Sequence, residues 1–216
     1  FDAIKFTKPN TYTFTITESR SSEGEDDGIT VDTTPKTVTI VVVDNGAGNL
    51  VVDEQKSDYK NTQFTNYYNF TGTQATISVE KFLEKYGYEP DSIKDAFTFT
   101  LAAAADCPKD GYQLPATLTV TNPDADGGKT SFDPITFSKV GTYTFTVTES
   151  GTVGGITNDS DDVKTVTIKV EDNGNGKLVV TTAETARTVS FINSYDVGET
   201  SAKLYVKKEM SVLSGE

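Results

Sequence analysis

Two stretches of the chain alternate strictly between threonine and apolar residues. The first runs from Thr11 to Glu18 and the second from Thr142 to Glu149. A period of two is typical of a β-strand with one buried face. The apolar phase of each stretch ends on a glutamate, so the alternation predicts that Glu18 and Glu149 lie on the buried face. A carboxylic acid in that position is costly, which makes it a candidate for a specific role.

The two stretches belong to a longer repeat, with an offset that drifts between 127 and 131 residues. Further matching segments begin at these pairs of positions: Phe1 and Phe132, Lys36 and Lys164, Asp44 and Asp172, Phe64 and Phe191, Ala75 and Ala202. Self-similarity of this kind indicates a tandem array. Its phase predicts the back part of one unit at residues 1–70, a complete unit at 74–196, and the opening strand of a following unit at 201–216.

The complete unit has the pattern of an all-β domain. We expect strands at residues 75–83, 96–103, 116–122, 130–137, 142–149, 163–171, 177–183 and 187–195. Short strands with turn signals between them favour an antiparallel β-sandwich. A short helical turn is expected only around residues 90–96. The connection at residues 69–73 is too short for a flexible tether, so neighbouring units are expected to lie end to end as a stiff rod.

The composition narrows the classes of function. The net charge of −13 and the pI near 4.4 argue against binding nucleic acid. Because the chain contains no histidine, a histidine-based triad or metal site is excluded. No apolar run reaches the length of a membrane helix. The single cysteine, Cys107, rules out an intrachain disulfide and is either a reactive thiol or a loop residue.

The acidic, glycine-rich segments are expected to be loops rather than metal sites. Residues 122–128 place oxygens at alternate positions but lack the closing glutamate of a calcium loop. The acidic runs at residues 23–27 and 159–162 are expected to be solvated. We therefore expect no cofactor and no metal.

Two further polar residues of the complete unit fall in phase with buried faces. Lys81 follows Ile77 and Val79 at intervals of two, and Asn193 follows Phe191 in the same way. The cut copies of the repeat carry the same residue types. They place Lys208 in the last strand, and Glu18 and Asn66 in the back part of the first unit.

A buried lysine, glutamate and asparagine have two explanations. One is a buried ion pair beside a hydrogen-bonded amide. The other is chemical, because burial favours a neutral amine and a neutral acid. A neutral amine is a nucleophile that can attack the amide carbon of asparagine, while the acid passes protons to the departing ammonia. The product would be an isopeptide bond between Lys81 and Asn193, formed once per molecule.

These residues resemble the pilin isopeptide-linkage domains of Gram-positive surface proteins. The resemblance rests on the opening strand with Val79 and Lys81, the threonine-rich strand that ends at Glu149, and the closing Phe191-Ile-Asn193. It extends over essentially the whole chain, with the three elements in the order that the family has. It implies tandem Ig-like antiparallel β-sandwich domains arranged end to end, in which Lys81 bonds Asn193 with assistance from Glu149.

The resemblance also implies a structural function. The chain would be a module of a pilus or of a fibrillar adhesin stalk, attached to the cell wall on the extracellular surface of a Gram-positive bacterium. Its partners would be neighbouring repeats or subunits of the same protein, head to tail. The alternative is a ligand-binding adhesin domain that recognises a host protein or glycan. We expect no enzyme activity beyond single-turnover self-crosslinking. No sortase lysine in a Tyr-Pro-Lys context and no wall-sorting signal is found, which leaves pilus backbone and adhesin stalk both open.

The incomplete units leave two accounts of the chain ends. By repeat, Lys208 is the match for Asn66 and Glu18, but in another copy of the unit, so Glu18 would assist a bond between Lys208 and Asn66. Either the chain is cropped from a longer array, which we favour, or the strand of Lys208 enters the partial unit of a neighbouring chain by strand addition. Residues 1–70 expose half a core and should not be stable unaided.

Overall fold

The computed structural model describes residues 1–20, 27–90, 92–124 and 126–212. Over these ranges the protein is all-β, as the alternation predicts, with seventeen strands and a single four-residue 3-10 helix, Glu184–Arg187. That helix is too short to span a membrane, and no other helix is present in the described ranges.

The first part of the chain forms two small antiparallel sheets. One has the order β1-β3-β4 and the other pairs β2 with β5. Their strands are β1 (Asn10–Ile16), β2 (Ile29–Thr30), β3 (Lys36–Asp44), β4 (Leu50–Val52) and β5 (Tyr67–Tyr68).

Twelve strands follow, and they form three sheets. They are β6 (Thr73–Ala75), β7 (Ser78–Lys85), β8 (Thr98–Ala103), β9 (Tyr112–Gln113), β10 (Thr119–Thr121), β11 (Gly128–Ser131), β12 (Ile135–Phe137), β13 (Gly141–Ser150), β14 (Ile156–Thr157), β15 (Val163–Asp172), β16 (Leu178–Val180) and β17 (Thr188–Tyr195).

Two sheets of this second part enclose its core. A five-stranded sheet has the order β10-β8-β13-β15-β16, and a four-stranded sheet has the order β11-β7-β17-β14. They pack face to face, as in a β-sandwich, with the ring centroids of Phe99 on β8 and Phe191 on β17 lying 5.2 Å apart. The threonine-rich β13 is the central strand, and every second side chain of it, including Phe145 and Val147, is buried.

The strands predicted to open and close the unit are neighbours, but they run parallel. β7 pairs with β17 so that Lys81 lies opposite Phe191 and Leu83 opposite Asn193. The prediction of a purely antiparallel sandwich is therefore wrong for this pair, whereas the other pairings within the two sheets are antiparallel. A parallel pair needs a long connection, and the chain supplies one by passing through β8 to β16 in between.

Local predictions differ from the structure in two further places. The strand expected at residues 130–137 is two strands in different sheets, β11 and β12, because Pro134 lies between them and cannot donate to a ladder. The helical turn expected at residues 90–96 is, in its described part, a single turn in which the Ala96 N–H donates to the Ile93 carbonyl at 3.0 Å. Asp95 has a φ of 58°, which no helix continues.

The strands of residues 1–69 are less deeply buried than their counterparts in the second part. In the described portion of this range, Val38 and Val42 are the buried apolar side chains. Phe14 is half-buried, whereas its counterpart in the second part, Phe145, is fully buried. The division of the chain into units at residues 1–70, 74–196 and 201–216 stays a prediction, and so does the tandem Ig-like arrangement.

This difference in cover should appear in amide hydrogen exchange. Phe14 pairs with Val38 in the first part as Phe145 pairs with Val166 in the second. We expect amides of β1 and β3 to exchange at least about a hundredfold faster than those of β13 and β15, because opening the first part exposes little additional apolar surface. Equal protection of the two matched pairs would contradict this expectation.

Candidate functional site

Lys81, Glu149 and Asn193 lie together in the core of the second part. Lys81 is on β7, Asn193 on the adjacent β17, and Glu149 on β13 of the opposing sheet. Their exposed fractions are 2%, 4% and 0%. The alternation along three different strands thus brings the three polar side chains onto the buried faces of two sheets that pack against each other.

The parallel register sets how the lysine and the asparagine approach. Leu83, two residues after Lys81 and on the same face, is directly opposite Asn193. Lys81 and Asn193 are therefore diagonal neighbours, with Cα atoms roughly 8 Å apart if the strand spacing is about 4.8 Å and the rise about 3.3 Å per residue. A lysine side chain is long enough to cover that separation.

The charged groups of Lys81 and Glu149 are close but incompletely satisfied. Lys81 Nζ lies 2.9 Å from Glu149 Oε1, yet the angles are not those of a hydrogen bond. Among the described residues, four buried atoms of the cluster have no hydrogen-bond partner, namely Nζ of Lys81, both carboxyl oxygens of Glu149 and Nδ2 of Asn193. Native cores leave few such atoms unpaired.

The surroundings of the lysine are aromatic and dry. Lys81 Nζ lies 4.9 Å from the ring centroid of Phe97, and Phe99 is opposite Glu149 in the pairing of β8 with β13. Burial lowers the pKa of Lys81, and the neighbouring Glu149 carboxylate only partly offsets this. The site therefore favours a neutral amine more than water does.

The asparagine carbonyl is held by a residue that the sequence pattern did not single out. The Asp159 N–H donates to Asn193 Oδ1 at 2.8 Å. The Asp159 carboxylate in turn accepts hydrogen bonds from the N–H groups of Ile192 and Asp161, each at 3.0 Å, and lies 3.2 Å from Lys164 Nζ. Asp159 thus fastens its loop to β17 and directs an N–H at the amide oxygen.

The contacts of Asp159 correct one expectation. The acidic run at residues 159–162 is not uniformly solvated, because Asp159 is half-buried and bonded. Burial by itself would raise the pKa of the Asp159 carboxyl, but the bonds from Ile192, Asp161 and Lys164 bring it below its ordinary value. The other acidic run, at residues 23–27, lies outside the described residues except for Asp27.

The first part of the chain carries the same arrangement without a lysine. Asn66 Nδ2 donates to Glu18 Oε1 at 2.6 Å, and the Asp32 N–H donates to Asn66 Oδ1 at 2.9 Å. Asp32 is also paired with Lys36, at 2.8 Å. Glu18 Oε2 is buried and has no partner in the described portion of the chain. The recurrence of an aspartate shortly before a lysine was the sequence signal that could have identified Asp159.

Lys208 lies apart from this second cluster. It belongs to the exposed segment that follows β17 and forms no strand within the described residues. Within this chain, the structure therefore brings together Lys81, Glu149 and Asn193, and separately Glu18 and Asn66, but it does not bring Lys208 to either group.

The remaining candidates have structural roles. Cys107 is buried against the core. Asn122 is also fully buried and ties the preceding segment down, since its side chain accepts from the Phe97 N–H and donates to the Ile93 carbonyl, both at 2.9 Å. Among the described residues, no group of acidic or cysteine side chains is arranged to bind a metal ion.

Major pilins of Streptococcus pyogenes are among the solved structures similar to this chain. A mutant of the major pilin from Streptococcus pyogenes is 18% identical, covering 89% of this chain and 72% of that one with a TM-score of 0.27. The unmutated major pilin is 19% identical over the same shares, with a TM-score of 0.25. A further major pilin of the species is 19% identical over 89% and 70%, with a TM-score of 0.23. At these scores the superpositions carry no argument, and no curated protein sequence matches the chain.

The comparison with protein families is the informative one. Residues 1–69 and 77–196 match FctA, described as a Spy0128-like isopeptide containing domain. The matched ranges include Lys81, Glu149 and Asn193 as well as Glu18 and Asn66, and they confirm the resemblance stated from the sequence. The chain belongs to the family of Spy0128-like isopeptide containing domains.

Proposed function

We propose that the chain is a structural module of a Gram-positive pilus or surface stalk, stabilised by an isopeptide bond between Lys81 and Asn193 that forms with help from Glu149. The observation that carries the proposal is the joint burial of these three side chains, with a lysine–glutamate contact of 2.9 Å and with Oε2 of Glu149 and Nδ2 of Asn193 lacking any hydrogen-bond partner among the described residues. A buried ion pair beside a hydrogen-bonded amide would leave neither the amide nitrogen nor the second carboxyl oxygen without a partner, and native cores leave few such atoms. Bond formation expels Nδ2 of Asn193 as ammonia and turns Nζ of Lys81 into an amide nitrogen whose N–H can donate to Glu149.

The reaction is an exchange of amides. Nζ of Lys81, as the neutral amine, attacks Cγ of Asn193, and the bond from Cγ to Nδ2 breaks. One proton leaves Nζ and reaches Nδ2 by way of Glu149, so that ammonia departs. An amine and a primary amide thereby become a secondary amide and ammonia, without a cofactor or an oxidant. Because the two side chains are buried as diagonal neighbours on adjacent strands, effective molarities on the order of 10⁵ M or more are available to this reaction.

The Asp159 N–H supports the attack. It lies 2.8 Å from Asn193 Oδ1, the atom on which negative charge develops as the amine adds to Cγ. A preorganised backbone N–H aimed at such an oxygen is how oxyanion holes act. The loop of Asp159 therefore contributes an electrostatic element that Glu149 does not supply.

The bond would serve the module mechanically. It would close a loop of more than a hundred residues and stabilise the fold by about 4–5 kcal/mol on the chain-entropy model of a crosslink. We propose that the module stands in a tandem array of Ig-like domains, end to end on the bacterial surface. In such an array Lys208 would meet Asn66 and Glu18 of another copy and form the corresponding bond.

Intact mass tests the Lys81–Asn193 bond. The folded protein should be lighter than its sequence by one ammonia, and Lys81→Met and Asn193→Ala should each restore the full mass because a reacting group is gone. Lys85→Met is the matched control, since Lys85 is exposed on the same strand, and it should keep the loss.

An unmodified mass for the folded protein would overturn the proposal. The same spectra test the second bond, because a link between Lys208 and Asn66 of another copy gives covalent multimers that Lys208→Met abolishes. Monomers alone, under conditions where the copies associate, would exclude the second bond while leaving the first unaffected.

Replacement of Glu149 tests the proton shuttle. Glu149→Ala and the isosteric Glu149→Gln should fold but retain the full mass, because neither side chain can transfer the proton. Their free energy of unfolding in denaturant titrations should fall by about 4 kcal/mol or more, as the crosslink is lost. Complete crosslinking of Glu149→Gln would show that the assigned role is wrong.

Replacement of Asp159 tests the backbone donor. Asp159→Ala should slow ammonia loss at least about tenfold after cell-free synthesis, because the loop no longer positions its N–H. Asp161→Ala is the control, since Asp161 is exposed and also contacts Lys164. Equal rates for the two variants would rule out the role of Asp159.

The lowered pKa of Asp159 means that its contacts stabilise the fold above about pH 4 and are lost as the pH falls through the lowered value.

A further inference from the structure

The two parts of the chain meet at a small junction with specific contacts. The hairpin between β15 and β16 reaches the first part, where Asp172 Oδ2 accepts the Tyr68 hydroxyl hydrogen at 2.6 Å. The connecting Thr71 continues the contact, since its N–H donates to the Gly176 carbonyl at 2.8 Å. Gly28 and Gly176 approach so closely that a Cβ on Gly28 would lie 2.6 Å from Gly176 Cα. The junction therefore combines one tyrosine–aspartate bond, the backbone bonds of Thr71 and one close glycine pair.

The hairpin half of this junction exists a second time in the chain. Residues 44–50 repeat residues 172–178 with the same internal bonds: the Gly46 N–H donates to Asp44 Oδ1 at 2.9 Å, as the Gly174 N–H does to Asp172 Oδ1. Gly48 has a φ of 76° where Gly176 has 70°. Gly48 is exposed and Gly176 is buried. The hairpin at residues 44–50 has the same backbone as the docked hairpin at residues 172–178, but it packs against no corresponding site among the described residues.

The site that receives the hairpin, formed by Gly28 and Tyr68, is also repeated in the chain. Ile156 pairs with Tyr195 as Ile29 pairs with Tyr68. The N–H that follows the tyrosine donates to the matching glycine carbonyl in both, from Asp196 to Gly155 at 3.0 Å and from Asn69 to Gly28 at 2.8 Å. A Cβ on either glycine would meet the edge of its tyrosine, at 2.8 Å for Gly155 and 3.0 Å for Gly28. The site at Gly155 and Tyr195 thus has the same backbone arrangement as the occupied site at Gly28 and Tyr68.

We propose that a second copy of this chain docks its hairpin, residues 44–50, on the site formed by Gly155 and Tyr195. The Tyr195 hydroxyl donates to Asp44 of the second copy, and Gly48 of the second copy packs against Gly155. The backbone after Tyr195, at Gly198, takes the place that Thr71 has at the internal junction. This interface does not require the isopeptide bond and is argued from the junction alone.

The exposed tail is consistent with such docking. At the internal junction the chain passes from Thr71 directly into β6 and β7, which cover the core of the unit whose hairpin is docked. After Tyr195 the equivalent segment exposes Leu204 and Val206 to 95% and 93%. An apolar cleft of about 580 Å³ lined by Phe14 and Ile16 remains open in the first part. Docking would deliver this tail to that cleft in the second copy.

Substitutions within one hairpin test the interface with a matched control. Gly46 and Gly48 both have positive φ and are exposed, and a Cβ added to either glycine would meet no atom within 4 Å. Asparagine tolerates this backbone, so Gly46→Asn and Gly48→Asn should both fold. Only Gly48→Asn should obstruct docking, because the internal counterpart of Gly48 is buried against Gly28. A Cβ added to Gly174, the counterpart of Gly46, would meet no atom within 4 Å.

Sedimentation velocity at protein concentrations up to about 1 mM measures the association, since a contact with a millimolar Kd is substantially populated there. We expect head-to-tail oligomers for the unsubstituted protein and for Gly46→Asn, and at least tenfold weaker association for Gly48→Asn. Tyr195→Phe, which removes only a hydroxyl, should also weaken association and decides the matter if Gly48→Asn fails to fold. Monomers at every concentration, or equal association of all variants, would overturn the proposal. Asn66→Ala should associate normally, which separates this result from the failure of the Lys208–Asn66 bond.

Discussion

The structure depends on the burial of one lysine, one glutamate and one asparagine between two sheets. The aromatic core penalises the charge on Lys81, whose pKa burial lowers. Lys81 Nζ and Glu149 Oε1 lie 2.9 Å apart without hydrogen-bond geometry, so the ion pair only partly offsets the cost of burying the lysine. The parallel pairing of β7 with β17 puts the amide of Asn193 on the same face as Lys81. The proposed bond would replace the buried amine and the primary amide with a crosslink.

The sequence predicted the buried residues better than it predicted how their strands pair. Alternation with a period of two is a local property, and it correctly placed Lys81, Glu149 and Asn193 on buried faces. The parallel run of β7 beside β17 could not be read in the same way, because strand direction depends on the route of the intervening chain. Asp159 was missed because its contribution is a backbone N–H, which any residue carries.

The repeat makes the chain its own comparison. Phe14 and Phe145 occupy equivalent positions in equivalent strands, yet only Phe145 is fully buried. The same holds for the polar groups, since Glu18 and Asn66 bond to each other where Glu149 faces a lysine. The sequence of a strand thus determines which residues face inward, while their burial depends on which other strands are present to cover them.

The direction of β7 and β17 decides how the proposed bond would bear load. Because the two strands are parallel neighbours, tension between the start of β7 and the end of β17 shears them past each other rather than unzipping them. A bond from Lys81 to Asn193 would carry that tension directly across the pair. Residues 82–192, which include the whole of the five-stranded sheet, would then lie outside the loaded path. An antiparallel pair would bring both chain ends to the same side of the domain. The parallel pairing that the sequence failed to predict is therefore what would let the proposed link between first and last strands carry tension from one end of the domain to the other.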